Sequence, residues 1–248
     1  MARRSRHVKT GEVAEAVQAQ AAYGSGGLIR QMPSGERPRD RLLRRGAQAL
    51  SDAELLSVLL GGCRKTSVLD LSRVLEETGG LMGLIEAEDQ ILHWKGIGKV
   101  RAATLLAIRE IACRMTRAKI SDRRLLHEPE AVASYLLLRF SIPDQEVLGA
   151  FYLDVQNRLI AEREIFRGTL SRTSVEPRQI LKEALRRNAS SFILFHTHPS
   201  GDPSPSTEDI EFTRWIARAG EILGVRLSDH LILGSSGRWV SLKRRLGW

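Results

Sequence analysis

Cysteine is almost missing from this chain of 248 residues: Cys63 and Cys113 are the two, far apart and neither in a CxxC word. That excludes a disulfide framework and a cysteine-ligated zinc, and it fits a reducing cytoplasm. Long apolar runs are missing too. None approaches the roughly 18 residues that cross a bilayer. The N-terminus is basic, but no apolar stretch follows it, so no secretory signal is expected. What is there is ordinary for a soluble globular protein, 42% hydrophobic and 27% charged residues. The length allows one large domain or two modest ones. Lys and Arg number 38 against 29 Asp and Glu, a net +9 in which Arg prevails. Such a balance favours a polyanion such as nucleic acid, and equally suits a merely cationic surface.

Composition shifts along the chain. Residues 1–34, rich in Ala, Arg, Gln, Gly and Ser, read as a disordered basic arm. Residues 35–117 read as a small all-helical domain. Ser51 and Glu54 have the spacing of a capping box, and Gly61-Gly62 ends that helix. Further helices are expected over 66–77, 84–94 and 99–115. The charged, aperiodic stretch 118–129 reads as a linker. From 130 to 248 strands and helices mix: a helix at 130–138, strands in EVLGAFYLDV, RLIAEREIF, SFILFHTH, VRLSDHLILG and RWVSL, and helices opening at Pro177 and Ser206. This half is expected to be an α/β (α+β) domain.

The word FHTHPSGDPSPSTEDI, residues 195–210, carries the chemistry. Phe192 to Phe195 form a buried central strand. His196 and His198, two apart on an extended chain, share one face and can chelate a divalent ion. Pro199, Gly201, Pro203 and Pro205 enforce a stiff loop, which delivers Ser206 as the N-cap of a helix. Asp209, three residues on, suits a capping box or a third ligand, with one oxygen capping and the other ligating. Three protein ligands leave a fourth position for water, the pattern of catalytic zinc.

The string H-x-H-P followed by S-x-x-D, with H-x-H-x10-D spacing, resembles the JAMM (MPN+) metalloprotease motif. The neighbouring words EIFRGTL, SVEPRQILKEAL and SDHLILG resemble the RadC branch of it. The resemblance runs from about Glu36 to the end. It implies a cytidine-deaminase-like layered domain preceded by a helix-hairpin-helix domain. It also implies one Zn2+ per chain held by His196, His198 and Asp209, and cleavage of an amide or isopeptide bond in an unknown protein or peptide. The pattern further requires an upstream glutamate. By position before the F-x-G-T word this is Glu164, expected to act as general base, with Glu162 on a solvated face. Ser206 is expected to donate to the oxyanion. His230 and Asp229 are either neighbours that support the metal site or structural residues, the latter favoured for His230. His7, His93 and His127 lack partners at ligand spacing.

WKGIGKVRAATLLAI, residues 94–108, resembles the hairpin of a DNA-binding helix-hairpin-helix. Gly96 and Gly98 permit a tight turn whose N–H groups face a phosphate. Lys95, Lys99 and Arg101 add charge beside a helix N-terminus. Contact with the DNA backbone is expected there, and an unliganded helix–helix turn is the alternative. Two functions follow: a zinc hydrolase associated with DNA, or a DNA-repair or recombination accessory protein whose metal site is structural or vestigial. A base and an oxyanion donor are needed only by the first.

Overall fold

SFILFHT is apolar for four residues, Phe192–Phe195, without alternation, the signature of a strand covered on both faces. In a computed structural model of the chain it is such a strand, every residue buried. The structure describes residues 29, 32–61, 67–86, 91, 94, 97–120, 128–140, 145–168 and 177–248. The chain divides into two compact units. The first runs up to Glu77 and again from Leu92 to Thr104; the second comprises Thr78–Ile91 and Leu105–Trp248.

The first unit is helical, as expected. It holds α1 (Pro38–Arg45), α2 (Asp52–Leu59) and α3 (Val68–Thr78). Ser51 and Glu54 form the anticipated reciprocal box at the start of α2, and Ser67 with Asp70 builds a second one before α3. Leu56, Leu71, Val74 and Ala102 are buried within this unit. The helix expected over 84–94 begins earlier: α4 spans Leu81–Glu86. Gly79 and Gly80, both at positive φ, end α3 and release the chain directly into it.

The boundary also differs from the sequence reading. α5 extends over Lys99–Ile120, so residues 118–120 are helix rather than linker. Pro129 already opens α6, Pro129–Arg139. The physical reason is burial: Cys113 and Ile120 on α5 belong to the core of the second unit, with Tyr135, Leu136 and Phe151. Residues 121–127, and the proposed arm apart from 29 and 32–34, lie outside the described residues.

The second unit is a sheet with helices on both faces. Its strands are β1 (Glu146–Leu153), β2 (Leu159–Gly168), β3 (Ser191–Thr197), β4 (Arg226–Leu233) and β5 (Trp239–Ser241). They lie in the order β2-β1-β3-β4-β5. All neighbours are antiparallel except β3 and β4. That parallel pair is joined through α8 (Thr207–Ile222), and α7 (Pro177–Arg186) links β2 to β3. A short α9, Leu242–Leu246, ends the chain. On one face Phe151, Ile193, Phe195 and Leu231 pack with Tyr135 and Leu136 of α6. On the other Leu148, Ala150, Tyr152, Phe192 and Leu194 pack with Ile180 of α7 and Ile216 of α8.

Two residues of β2 break its pairing with β1, Ile160 near its start and Ile165 nearer the end of β3. Leu148 pairs with Phe166, whereas the next residue, Gly149, pairs with Glu164, so Ile165 is a bulge. Ile165 and Phe166 both pack toward the α7–α8 face. Beyond the bulge the side-chain alternation of β2 is reversed.

Gly149 sits where β1 meets the Phe195 ring. A Cβ there falls 2.2 Å from Phe195 Cζ and 2.7 Å from the Arg163 carbonyl. Gly149→Ala is predicted to destabilise the second unit by about 1–3 kcal/mol, read as a lower urea midpoint. An unchanged midpoint would contradict this close packing.

Candidate metal centre

β3 has no polar outlet along its length and releases one at its end. His196 is its sixth residue and is buried; His198 follows just past the strand and is partly exposed. The backbone N–H of His198 still donates to Leu233 O at 2.9 Å, so the extended course continues and both rings fall on one side. The following loop is fastened. Gly201 has φ +78, its carbonyl accepts from Ser235 N at 2.9 Å and from an Arg238 guanidinium N–H at 2.8 Å. A Cβ on Gly201 would lie 2.4 Å from Ser235 Oγ, so glycine is required by both angle and space. Ser206 then caps α8: its Oγ accepts from Asp209 N, and the Asp209 carboxylate accepts from Ser206 N.

This brings three expected ligands together. The Nε2 atoms of His196 and His198 are 2.8 Å apart. Asp209 Oδ1 lies 3.3 Å from His196 Nε2, and Oδ2 lies 3.4 Å from His198 Nε2. One donor atom from each residue lies within 4.8 Å of the others, and this is the group among the described residues able to hold a metal ion. The two oxygens of Asp209 are not fully divided between cap and site: Oδ2 accepts from Ser206 N at 2.8 Å and Ser206 Oγ at 2.7 Å while also facing His198, and Oδ1 faces His196.

The donor chemistry fits a divalent ion. His198 Nδ1 is 2.8 Å from the Asp202 carbonyl oxygen, which only accepts, so that nitrogen carries a proton. In the neutral ring Nε2 is then a bare lone pair aimed at His196. Two imidazole nitrogens in contact with a carboxylate beside them call for a shared cation. Zn2+ takes such N and O ligands.

Burial alone would disfavour an imidazolium at His198, but the Asp209 carboxylate and the Asp202 carbonyl outweigh it and raise the His198 pKa. Burial likewise works against ionised Asp209. The two imidazoles and Ser206 overcome it and hold the carboxyl far below the ordinary carboxylate range. The carboxylate is therefore charged and ready as a ligand.

Residues 126–248 match the RadC-like JAB domain and residues 29–103 match the UPF0758 N-terminal domain. A UPF0758 protein of Bacillus licheniformis is 42% identical over 220 residues, covering 88% of this chain and 98% of its own. A UPF0758 protein of Chloroflexus aurantiacus is 44% identical over 220 residues, covering 88% and 96%. One from Geobacillus sp. WCH70 is 42% identical over 221 residues, covering 88% and 97%.

The chain belongs to the RadC-like family of JAB-domain proteins.

Other expected site residues of this RadC-like chain fall elsewhere. Glu164 does not join the cluster. The bulge at Ile165 turns it to the α6 face of the sheet with Glu162, which accepts from Tyr135 Oη at 2.7 Å and Arg139 Nε at 2.8 Å. Glu164 itself is held by a two-point pairing with Arg167, at 2.8 and 2.9 Å. Without a bulge it would share the face of Phe166, beside Leu148 and His196; one inserted residue reverses that.

Glu146 is the carboxylate the sequence reading missed. Leu148 pairs with His196 and packs on the α7–α8 face. Glu146, two residues earlier on an unbulged strand, has the same facing. Its charge contributes to raising the His198 pKa. The adjoining backbone is pinned to β3, since Val147 N donates to Thr197 Oγ1 at 2.9 Å. Only strand pairing identifies Glu146; in sequence it is one of several acidic residues.

Ser206 is at the site, but its single hydroxyl proton is directed to Asp209 Oδ2. Expected as an oxyanion donor, it is here the cap of α8, bonded to the Asp209 carboxylate and backbone N–H. His230 is fully buried against His196. Asp229 takes no part in the cluster; it accepts from Ser241 Oγ at 2.7 Å and Lys243 N at 3.1 Å, and burial raises its pKa despite these bonds.

For the DNA expectation, Gly98 and Lys99 are exposed at the start of α5, and Gly98 is not at positive φ. Arg101 is buried, reaching the Gly61 carbonyl at 3.5 Å, and is not presented to solvent. Lys95 and Gly96 lie outside the described residues.

Ser206→Ala is predicted to cost about 1 kcal/mol through loss of the cap and to weaken zinc binding by roughly 10- to 100-fold. Calorimetric titration with zinc checks this. Wild-type affinity in Ser206→Ala would show that the cap does not orient a ligand.

Proposed function

We propose that this RadC-like protein is a zinc-dependent hydrolase of amide or isopeptide bonds in a protein or peptide, acting in the cytoplasm. The observation that supports this most is the meeting of two imidazoles and a charged carboxylate at the end of β3, with Glu146 on the strand beside them. His196, His198 and Asp209 would hold the ion, an arrangement that leaves room for a reacting group. When bound, zinc would supply Lewis acidity toward a carbonyl oxygen and ease the deprotonation of water. In this reading Glu146, not Glu164, takes the proton from the attacking water and returns it to the leaving amine. Ser206 holds Asp209 in place. A purely structural site needs no proton-handling carboxylate at its edge, which weighs against a vestigial metal site.

The test is product formation by zinc-loaded protein in a cell extract, with new amino termini and released lysine side chains counted by mass spectrometry. Glu146→Gln should keep its zinc and lose activity by about 100-fold or more, while Glu164→Gln should stay near wild type. The reverse pattern would return the base to Glu164. If wild type releases nothing beyond the His196→Ala, His198→Ala double variant, the hydrolase reading is wrong.

For the helical unit we propose contact with the DNA backbone through the start of α5, supported by exposed Lys99 and the +9 net charge. This contact would also serve an accessory protein of DNA repair. Lys99→Glu should lower duplex affinity and reduce the slope of log affinity against log salt by about 1. An unaltered slope would remove Lys99 from any such contact.

A further inference from the structure

Behind the metal centre lies a chain of three hydrogen bonds. His230, in β4, is among the most buried polar residues of the chain, at 1% exposure. Its Nε2 is 2.8 Å from His196 Nδ1. Its Nδ1 is 2.6 Å from Thr213 Oγ1 on α8. That same Oγ1 is 2.6 Å from the backbone carbonyl oxygen of Asp209.

The direction of every bond in this chain is forced. A carbonyl oxygen only accepts, so the one hydroxyl proton of Thr213 goes to Asp209 O. Thr213 Oγ1 must then accept from His230, which places a proton on His230 Nδ1. Neither ring partner of His230, a hydroxyl and an imidazole, offers a negative charge, and an ion so deeply buried without a countercharge in contact is costly. The ring is therefore neutral. Its Nε2 is then bare and accepts from His196 Nδ1–H. The nitrogen of His196 left for the site is Nε2, which faces His198 Nε2 and Asp209 Oδ1.

We propose that His230, fixed by Thr213, is a positioning residue that locks His196 in the Nδ1–H tautomer and so presents its Nε2 as a ligand. This rests on the metal-centre reading above. The relay also closes a ring. Asp209 offers its carboxylate to the front of the site and its carbonyl to the back, so the first turn of α8 and the end of β3 are tied together twice. His196 has no other acceptor in the relay to hold its Nδ1 proton, whereas His198 uses the Asp202 carbonyl. Each ligand histidine thus has its own orienting acceptor, one a backbone oxygen and one a buried imidazole. Nothing in the HxHP or SxxD words announces the second, which comes from β4 through its parallel pairing with β3.

The experiment measures tautomers in zinc-free protein, by long-range 15N–1H correlation of the histidine rings, and zinc affinity by competition with a chromophoric chelator. Wild type and Thr213→Ser, which keeps the hydroxyl, should show His196 carrying a proton on Nδ1. Thr213→Val, nearly isosteric and therefore expected to fold, and His230→Phe should show that Nδ1 proton lost from His196 and a roughly 10- to 100-fold loss of zinc affinity. Wild-type tautomer and affinity in Thr213→Val, or a His196 Nδ1 without a proton in the wild type, would overturn the proposal. His196→Ala is measured alongside: if it binds zinc like wild type, the metal-centre reading fails, while the tautomer result still decides the relay.

Discussion

The site depends on β3 being buried on both faces and open only at its C-terminal end. Between β1 and β4, and under helices on either side, its residues through Thr197 are covered. Polar side chains on such a strand must find partners inside the protein. His196 and Thr197 do so in different directions. Thr197 ties the end of β3 to β1 through Val147 N, and His196 reaches both His198 and His230. The same confinement that makes these residues costly to place makes their geometry well defined, which a metal site requires.

Local signals carried much of this into the sequence. The unbroken apolar run predicted a central strand, and the SxxD spacing predicted a helix cap; both are present, and Asp209 serves the cap through Oδ2 while both its oxygens face the histidines. Less legible was anything set by pairing between distant segments. Glu164 lost its place to one bulged residue, Ile165, because a shift of one residue in a strand exchanges faces. Glu146 gained its place because β1 runs antiparallel to β3 with Leu148 opposite His196. His230 looked like a structural histidine in an apolar strand, and the neighbours that give it a further part come from β3 and α8. Arg101 read as a phosphate contact from its charge, whereas helix packing buries it. The boundary near 118–129 shifted for a similar reason: Ile120 reads as part of the charged linker but fills a core.

Charge at the centre is arranged economically. Asp209 is kept ionised by two imidazoles and a hydroxyl. Its negative charge in turn favours cationic occupancy between the histidines, by a proton or by a metal. The acceptors behind the rings, Asp202 O and, as proposed, His230 Nε2, turn both Nε2 atoms to the front. Such a donor set suits a cation that prefers nitrogen and carboxylate ligands, as zinc does. The helical unit shares no residue with this chemistry. Its part, proposed as DNA contact, is separable from the metal centre by substitution.

The central claim is that His196, His198 and Asp209 bind zinc. X-ray absorption at the zinc edge of the purified protein tests it most directly. The account predicts about one zinc per chain, with multiple scattering from two imidazoles and the remaining ligands oxygen. Sulfur in the first shell, a different number of imidazoles, or no zinc after loading would contradict it.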